Sequence, residues 1–231
     1  MAEGARHFLD SFRDPAAVAR YSEGPRRFVP GLDGLHRMTG LLLAERVPVD
    51  AHILVLGAGG GSEMKAMADA HPGWRFTGVD PAGPMLDLAA QVLGADAHRA
   101  ELIEGLIDDA PPGPFDGATC LLTLHFLAIE ERIRTVAEIR RRLRPDAPFV
   151  AAHGSFPQGA GERDRWLDRY AAFAIASGGD PDQVAKGRAA VASHVAMLTP
   201  QQDEDVLRAA GFTGVEQFYA AFTWRGWVGY A

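Results

Sequence analysis

Ile53-Leu54-Val55-Leu56-Gly57-Ala58-Gly59-Gly60-Gly61 runs from four branched apolar residues straight into four glycines. The apolar run reads as an interior parallel strand, and Ser62 to Ala68 behind it as the first turns of a helix. Glycines let the backbone come close to a ligand, and the helix N-terminus presents unpaired N–H groups to an electron-rich one. Many strand-to-helix turns use a glycine and bind nothing. Phe76-Thr77-Gly78-Val79-Asp80 adds a second short strand that ends in an acid about 20 residues further on, the offset at which a carboxylate meets ribose hydroxyls. Together they predict a site for an adenosine-containing molecule; the plain alternative is an aspartate that only caps the next helix.

The chain has 231 residues, within the range of one domain, and the expectation is a single domain over 1–231. Its 23 basic and 30 acidic residues leave a net charge of −7, which argues against a large nucleic-acid footprint and leaves a local basic patch open. Cys120 is the one cysteine, so neither a disulfide framework nor a cysteine-rich metal site is expected. Met1 to His7 lacks the apolar core of a signal peptide, and no long apolar run follows. The expectation is a cytoplasmic protein without a membrane partner or a bound metal.

Upstream of the glycine strand, residues 6–29 carry Phe8, Phe12, Val18 and Tyr21 at helical spacing among Arg20, Arg26 and Arg27. This predicts a lid within 1–34. Leu35 to Arg46 reads as an amphipathic helix ended by Pro48. Downstream, Pro81 to Leu86 opens a helix behind Asp80, and Ala100 to Gly105 is a third strand followed by the loop Leu106 to Asp109. Phe115 to Leu127 is expected as a fourth strand that delivers Thr123 and His125 to its carboxyl end. Glu130 to Leu143 is an amphipathic helix and Ala147 to His153 a fifth strand. The alternation then breaks at 154–200, where Trp166 to Ala176 and Asp182 to Leu198 predict two helices forming a substrate cover. After a helix from Pro200 to Ala210, Val215 to Phe222 and Gly226 to Tyr230 are two strands too closely joined to be parallel. The fold class predicted is α/β, a doubly wound, Rossmann-like seven-stranded sheet with a C-terminal antiparallel hairpin and a helical cover.

This layout resembles the class I S-adenosylmethionine-dependent methyltransferases, over roughly residues 35–231. Gly57-x-Gly59-x-Gly61 is similar to the family's first motif, Asp80 to its second-strand acid, Leu106-Ile107-Asp108 to its adenine loop, and Phe115-Asp116 through Leu124-His125 to its fourth motif. Arg142-Leu143-Arg144-Pro145-Asp146-Ala147 is similar to the turn before the fifth strand. The resemblance implies a methyltransferase using S-adenosyl-L-methionine, with S-adenosylhomocysteine as product and a small-molecule acceptor. The cofactor-binding set it implies is Gly57, Ala58, Gly59, Gly61, Glu63, Asp80, Pro81, Met85, Ile107, Asp108 and Thr123. The acid the family often carries before its first glycine is Val55 here, so Glu63 or an N-terminal side chain is expected to anchor the amino-acid end.

Within the class, Arg27-Phe28-Val29-Pro30-Gly31 and Lys186-Gly187-Arg188 resemble the carboxy-S-adenosylmethionine synthases of wobble-uridine tRNA modification. There an arginine holds the cofactor's extra carboxylate, and Arg188 stands at the matching position. That family's tyrosine after Pro-Gly is Leu32. The alternatives to a small-molecule methyltransferase are therefore a synthase of that kind acting in tRNA modification, with tRNA left open as a partner, a non-catalytic adenosyl-cofactor-binding protein, and a nicotinamide-dependent reductase. A homodimer in which Arg188 acts across subunits also stays open.

Methyl transfer mainly asks an enzyme to align a nucleophile and exclude water. Where the acceptor must lose a proton, His125 is the candidate catalytic base, ahead of His153 and His194. Tyr21, Trp166, Tyr170, Phe173 and Trp224 could wall an aromatic pocket, or simply pack.

Overall fold

A computed structural model of the chain describes residues 10, 12–14, 18 and 24–231. Most of the lid expected within 1–34, including Phe8, Arg20 and Tyr21, lies outside the described residues. Seven strands make one sheet in the order β3-β2-β1-β4-β5-β7-β6. They are β1 His52–Leu56, β2 Arg75–Asp80, β3 Ala100–Glu104, β4 Gly117–Leu121, β5 Pro148–Gly154, β6 Thr213–Ala221 and β7 Trp224–Tyr230. β1 to β5 pair parallel, and β7 runs antiparallel to both β5 and β6. Only Phe222 and Thr223 separate β6 from β7, too few for a crossover.

Alternation along the strands sends apolar residues into two cores. Ile53, Val55, Val150 and Ala152 face one; Leu54, Leu56, Phe149 and Ala151 face the other. The first core is closed by Leu35 and Leu43 of α2 (Leu32–Ala44), Met64 and Met67 of α3 (Ser62–Ala70), and Leu86 and Ala89 of α4 (Gly83–Leu93). The second is closed by Val136 and Ile139 of α5 (Ile129–Arg141) and Val206 and Leu207 of α8 (Pro200–Ala209). Each fully buried aliphatic side chain contributes roughly 1.5–3 kcal/mol, so a strand apolar on both faces belongs inside a three-layer stack.

The fourth strand is shorter than its apolar run predicts. β4 stops at Leu121, Leu122 turns to φ 57°, and Leu124–Phe126 form a 3₁₀ turn. His125 thus sits on that turn and not on a strand. The helices of the 154–200 segment are α6 (Glu162–Ala176) and α7 (Pro181–His194). The side chain of Asp180 caps α7 by accepting the Gln183 N–H at 2.9 Å. α7 ends four residues before the predicted Leu198, because Leu198 bridges Ser155 as an extended segment. At the other end of the chain, α1 (Gly24–Phe28) is tied to the hairpin: the Trp224 indole N–H donates to the Phe28 carbonyl at 2.8 Å, and the Tyr219 hydroxyl to that of Pro30 at 2.5 Å.

Candidate functional site

The strand order reverses between β1 and β4, which opens a crevice at their carboxyl ends. The glycine turn fills its floor. Gly57, Gly59 and Gly61 all have positive φ, and the N–H groups of Gly57 and Ala58 donate to the Val79 carbonyl. A Cβ on Gly57 would stand 2.0 Å from Oγ1 of Thr123, so the loop after β4 closes over the turn only because that position is glycine. At Gly61 it would meet Cα of Ala89 at 2.8 Å, which sets how near α4 lies to α3. Gly59 is different, with nothing nearer than Met85 Cε at 3.6 Å. Its N–H donates to Oδ2 of Asp80 at 2.9 Å, and the Ala82 N–H donates to Oδ1 at 2.9 Å. Burial raises the Asp80 pKa above the ordinary carboxylate value, and the two N–H bonds oppose that rise.

Above the turn lies a cavity of about 200 Å³. It is lined by Gly57, Ala58, Gly59, Gly61, Glu63, Asp80, Pro81, Met85, Ile107 and Thr123, ten of the positions singled out from sequence. Asp108 is not among them: it accepts from Nη1 of Arg134 on α5 at 2.9 Å, at the surface, while Leu106 and Ile107 turn to the cavity. Glu63, in the first turn of α3, is buried beneath the glycines and accepts a 2.5 Å hydrogen bond from the Thr119 hydroxyl on β4. Burial pushes its pKa up to about 8, with the Thr119 bond opposing, which favours the protonated carboxyl at neutral pH. Cys120, beside it, is sealed in the sheet, and burial raises its thiol pKa further, out of reach of thiolate chemistry.

Sequence reading did not single out the polar wall residues Glu131, Arg134 and Thr135 of α5, nor His36 on α2, whose pKa burial lowers to about 4. Its place one residue after the buried Leu35 was the signal available, but only the fold shows that α2 faces the crevice.

A second cavity of about 280 Å³ adjoins the first, and Phe12, Pro25, Leu122 and Phe126 line both. Leu122 holds a left-handed backbone in the partition, a conformation costing about 1–3 kcal/mol in a non-glycine residue and found most often at functional sites. His125 lines this second cavity. Its Nδ1 accepts the Gly154 N–H at 3.3 Å, which leaves the proton of the neutral ring on Nε2. Burial first, then the nearby His153 and Arg132, hold it well below the ordinary histidine pKa. His125 therefore has Nε2–H as its hydrogen-bonding group beyond the Gly154 contact. Tyr170 and Trp224 also line this cavity. Trp166 instead stacks under Arg169, and Phe173 packs edge-on against Phe222.

Two further residues singled out from sequence line neither cavity. His153 faces the other core, with Nε2 2.9 Å from Oδ1 of Asp203 and its ring against Trp227. Arg188 projects from α7 onto α6, where it pairs with Asp168 at 2.8 Å and Asp164 at 3.4 Å, and it lines neither cavity. His194 is exposed at the end of α7.

The cradle fits an adenosyl compound: glycines that a Cβ would close, an acid clamped at the rim, apolar Leu106 and Ile107 opposite, and a buried carboxyl below. Residues 54–149 match the family model described as a methyltransferase domain. The carboxy-S-adenosyl-L-methionine synthase of Chromohalobacter salexigens is 26% identical over 221 residues, covering 94% of this chain and 82% of that protein. The Staphylococcus epidermidis protein of the same name is 22% identical, covering 96% of each. Among solved structures, PigF with SAH superimposes with a TM-score of 0.69 at 20% identity, over 96% of this chain and 61% of that one. The mitomycin 7-O-methyltransferase MmcR does so with 0.64 at 17%, over 96% of this chain and 59% of that one. The chain thus spans about three fifths of those two structures.

Proposed function

We propose that the chain is a class I S-adenosylmethionine-dependent methyltransferase that methylates a nucleophilic atom of a small organic molecule seated in the second cavity, a reading its methyltransferase-domain match supports. Bound S-adenosylmethionine supplies a methyl group already made electrophilic by its sulfonium. What remains for the protein is to bind, orient and exclude water. Asp80 keeps lone pairs for ribose hydroxyls beyond the two N–H bonds it accepts. Leu106, Ile107 and Met85 offer the apolar surface for the base, and Glu63 the acid for the ammonium of the amino-acid end. α6, α7 and α1 keep water from the acceptor side.

The observation that carries this reading is the shared wall: two cavities, one over the glycine turn, meet at Leu122 and Phe126. Incubating the protein with methyl-labelled S-adenosylmethionine and fractionated small-molecule extracts tests it. Label appearing in a low-mass product is expected. S-adenosylhomocysteine binding without transfer to any fraction points instead to a non-catalytic binder.

The names of the sequence relatives favour a second reading, a carboxy-S-adenosylmethionine synthase-like enzyme. Against it stand the pairing of Arg188 with Asp164 and Asp168 and the presence of Leu32 where that family has tyrosine. The mass of the copurifying ligand separates the two.

A further inference from the structure

The second cavity is built for an uncharged guest. Among the described residues no Asp, Glu, Lys or Arg lines it. Its walls are aromatic and aliphatic: Phe28 stacks on Tyr170 with ring centroids 5.2 Å apart, and Trp224 stands edge-on to His125 at 5.6 Å. The Trp224 indole N–H is already committed to the Phe28 carbonyl. Besides the Tyr170 phenol, two polar groups remain. Thr223 is 2% exposed, and its hydroxyl has no hydrogen-bond partner although the residue lines the cavity. His125 contributes an Nε2–H, since Nδ1 is occupied by the Gly154 N–H.

A buried hydroxyl without a partner forgoes about 1–3 kcal/mol, which a ligand atom can restore. A carboxylate brought into the same space would lose its water and meet no cation among the described residues, a far larger cost. Burial also raises the Tyr170 phenol well above its ordinary pKa, so that wall stays neutral too.

We propose that the acceptor is a neutral, flat, largely apolar molecule with one hydrogen-bonding oxygen or nitrogen, received by Thr223 and His125. A carboxylic acid is excluded from the site by this chemistry. The inference rests on reading the neighbouring cavity as the donor site.

The test uses the full chain saturated with S-adenosylhomocysteine and two probes of one ring system, 2-naphthol and 2-naphthoate, titrated calorimetrically at pH 7. Saturable one-to-one binding of 2-naphthol is expected, with 2-naphthoate at least about tenfold weaker. Thr223→Val should weaken 2-naphthol about three- to tenfold, and Val191→Trp, which fills the cavity from α7, should abolish its binding while S-adenosylhomocysteine still binds. Equal or tighter binding of 2-naphthoate, binding of neither probe, or 2-naphthol binding untouched by Val191→Trp overturns the proposal. If 2-naphthol binds but S-adenosylhomocysteine does not, the donor assignment falls and the acceptor chemistry stands.

Discussion

The N–H of Gly59 donates to Oδ2 of Asp80 at 2.9 Å, so the acid that ends β2 holds the glycine turn of β1 in shape. Its other oxygen accepts the Ala82 N–H and fixes the start of α4. Asp80→Ala removes both acceptors. It should weaken S-adenosylhomocysteine by more than about tenfold and lower stability by about 1–3 kcal/mol. Asp80→Asn, which keeps one acceptor oxygen, should fall between; calorimetry with urea unfolding reads both quantities.

Gly57 and Thr123 make the second prediction. With φ 73° and Thr123 Oγ1 2.0 Å from where a Cβ would be, Gly57→Ala is strained in backbone and contact alike. Cofactor affinity should drop out of the measurable range. Gly57→Ala combined with Thr123→Gly should recover part of the lost melting temperature, because the contact is relieved while the backbone cost stays. No recovery would mean that the φ requirement alone dominates.

Glu63 makes stability depend on pH. Its folded pKa of about 8 lies above the ordinary value of 4.5, so folding favours the protonated form. That stability is fully present below about pH 4.5 and is lost as pH rises toward 8. Relative to Glu63→Gln, the wild type should therefore lose of the order of a few kcal/mol between pH 5 and pH 8 in urea unfolding. A constant gap would put the carboxyl in a wetter place. An arriving ammonium should ionise Glu63, so S-adenosylhomocysteine should release a proton at pH 7, measurable in buffers of different ionisation heat. 5′-Methylthioadenosine, which lacks the amino-acid end, should not.

Behind the sheet, Arg132 and Asp203 are fully buried and joined at 2.6 Å, and Arg132 also donates to the carbonyls of Leu127 and Ala196. The contact ties α5, α8 and the segment before α8 together. Asp203→Ala strands a guanidinium in the core and should cost about 3–5 kcal/mol. Replacing both, Arg132→Met with Asp203→Leu, should cost clearly less, as thermal melts of the three proteins would show.

Arg188→Ala should change S-adenosylhomocysteine affinity less than about twofold and stability by under about 1 kcal/mol, as for a surface ion pair. A large loss of affinity would show that the arginine leaves Asp168 to reach the ligand.

The local and periodic part of the fold was legible in the linear chain. Apolar strands alternating with amphipathic helices dictate a doubly wound sheet, the short β6–β7 link dictates an antiparallel end, and four glycines followed by Asp80 mark the crevice. These are properties of neighbouring residues and of repeats of two or 3.6, which survive in a linear string. Tertiary structure alone decided the partners. Arg188 meets two carboxylates on α6, Asp108 turns outward to Arg134, and His125 leaves the strand on a 3₁₀ turn with Gly154 holding its Nδ1. Nothing in the local pattern separates those outcomes from the ones expected, because a polar side chain's role is set by which groups the packed sheet brings within about 3 Å of it, and those groups lie far away along the chain.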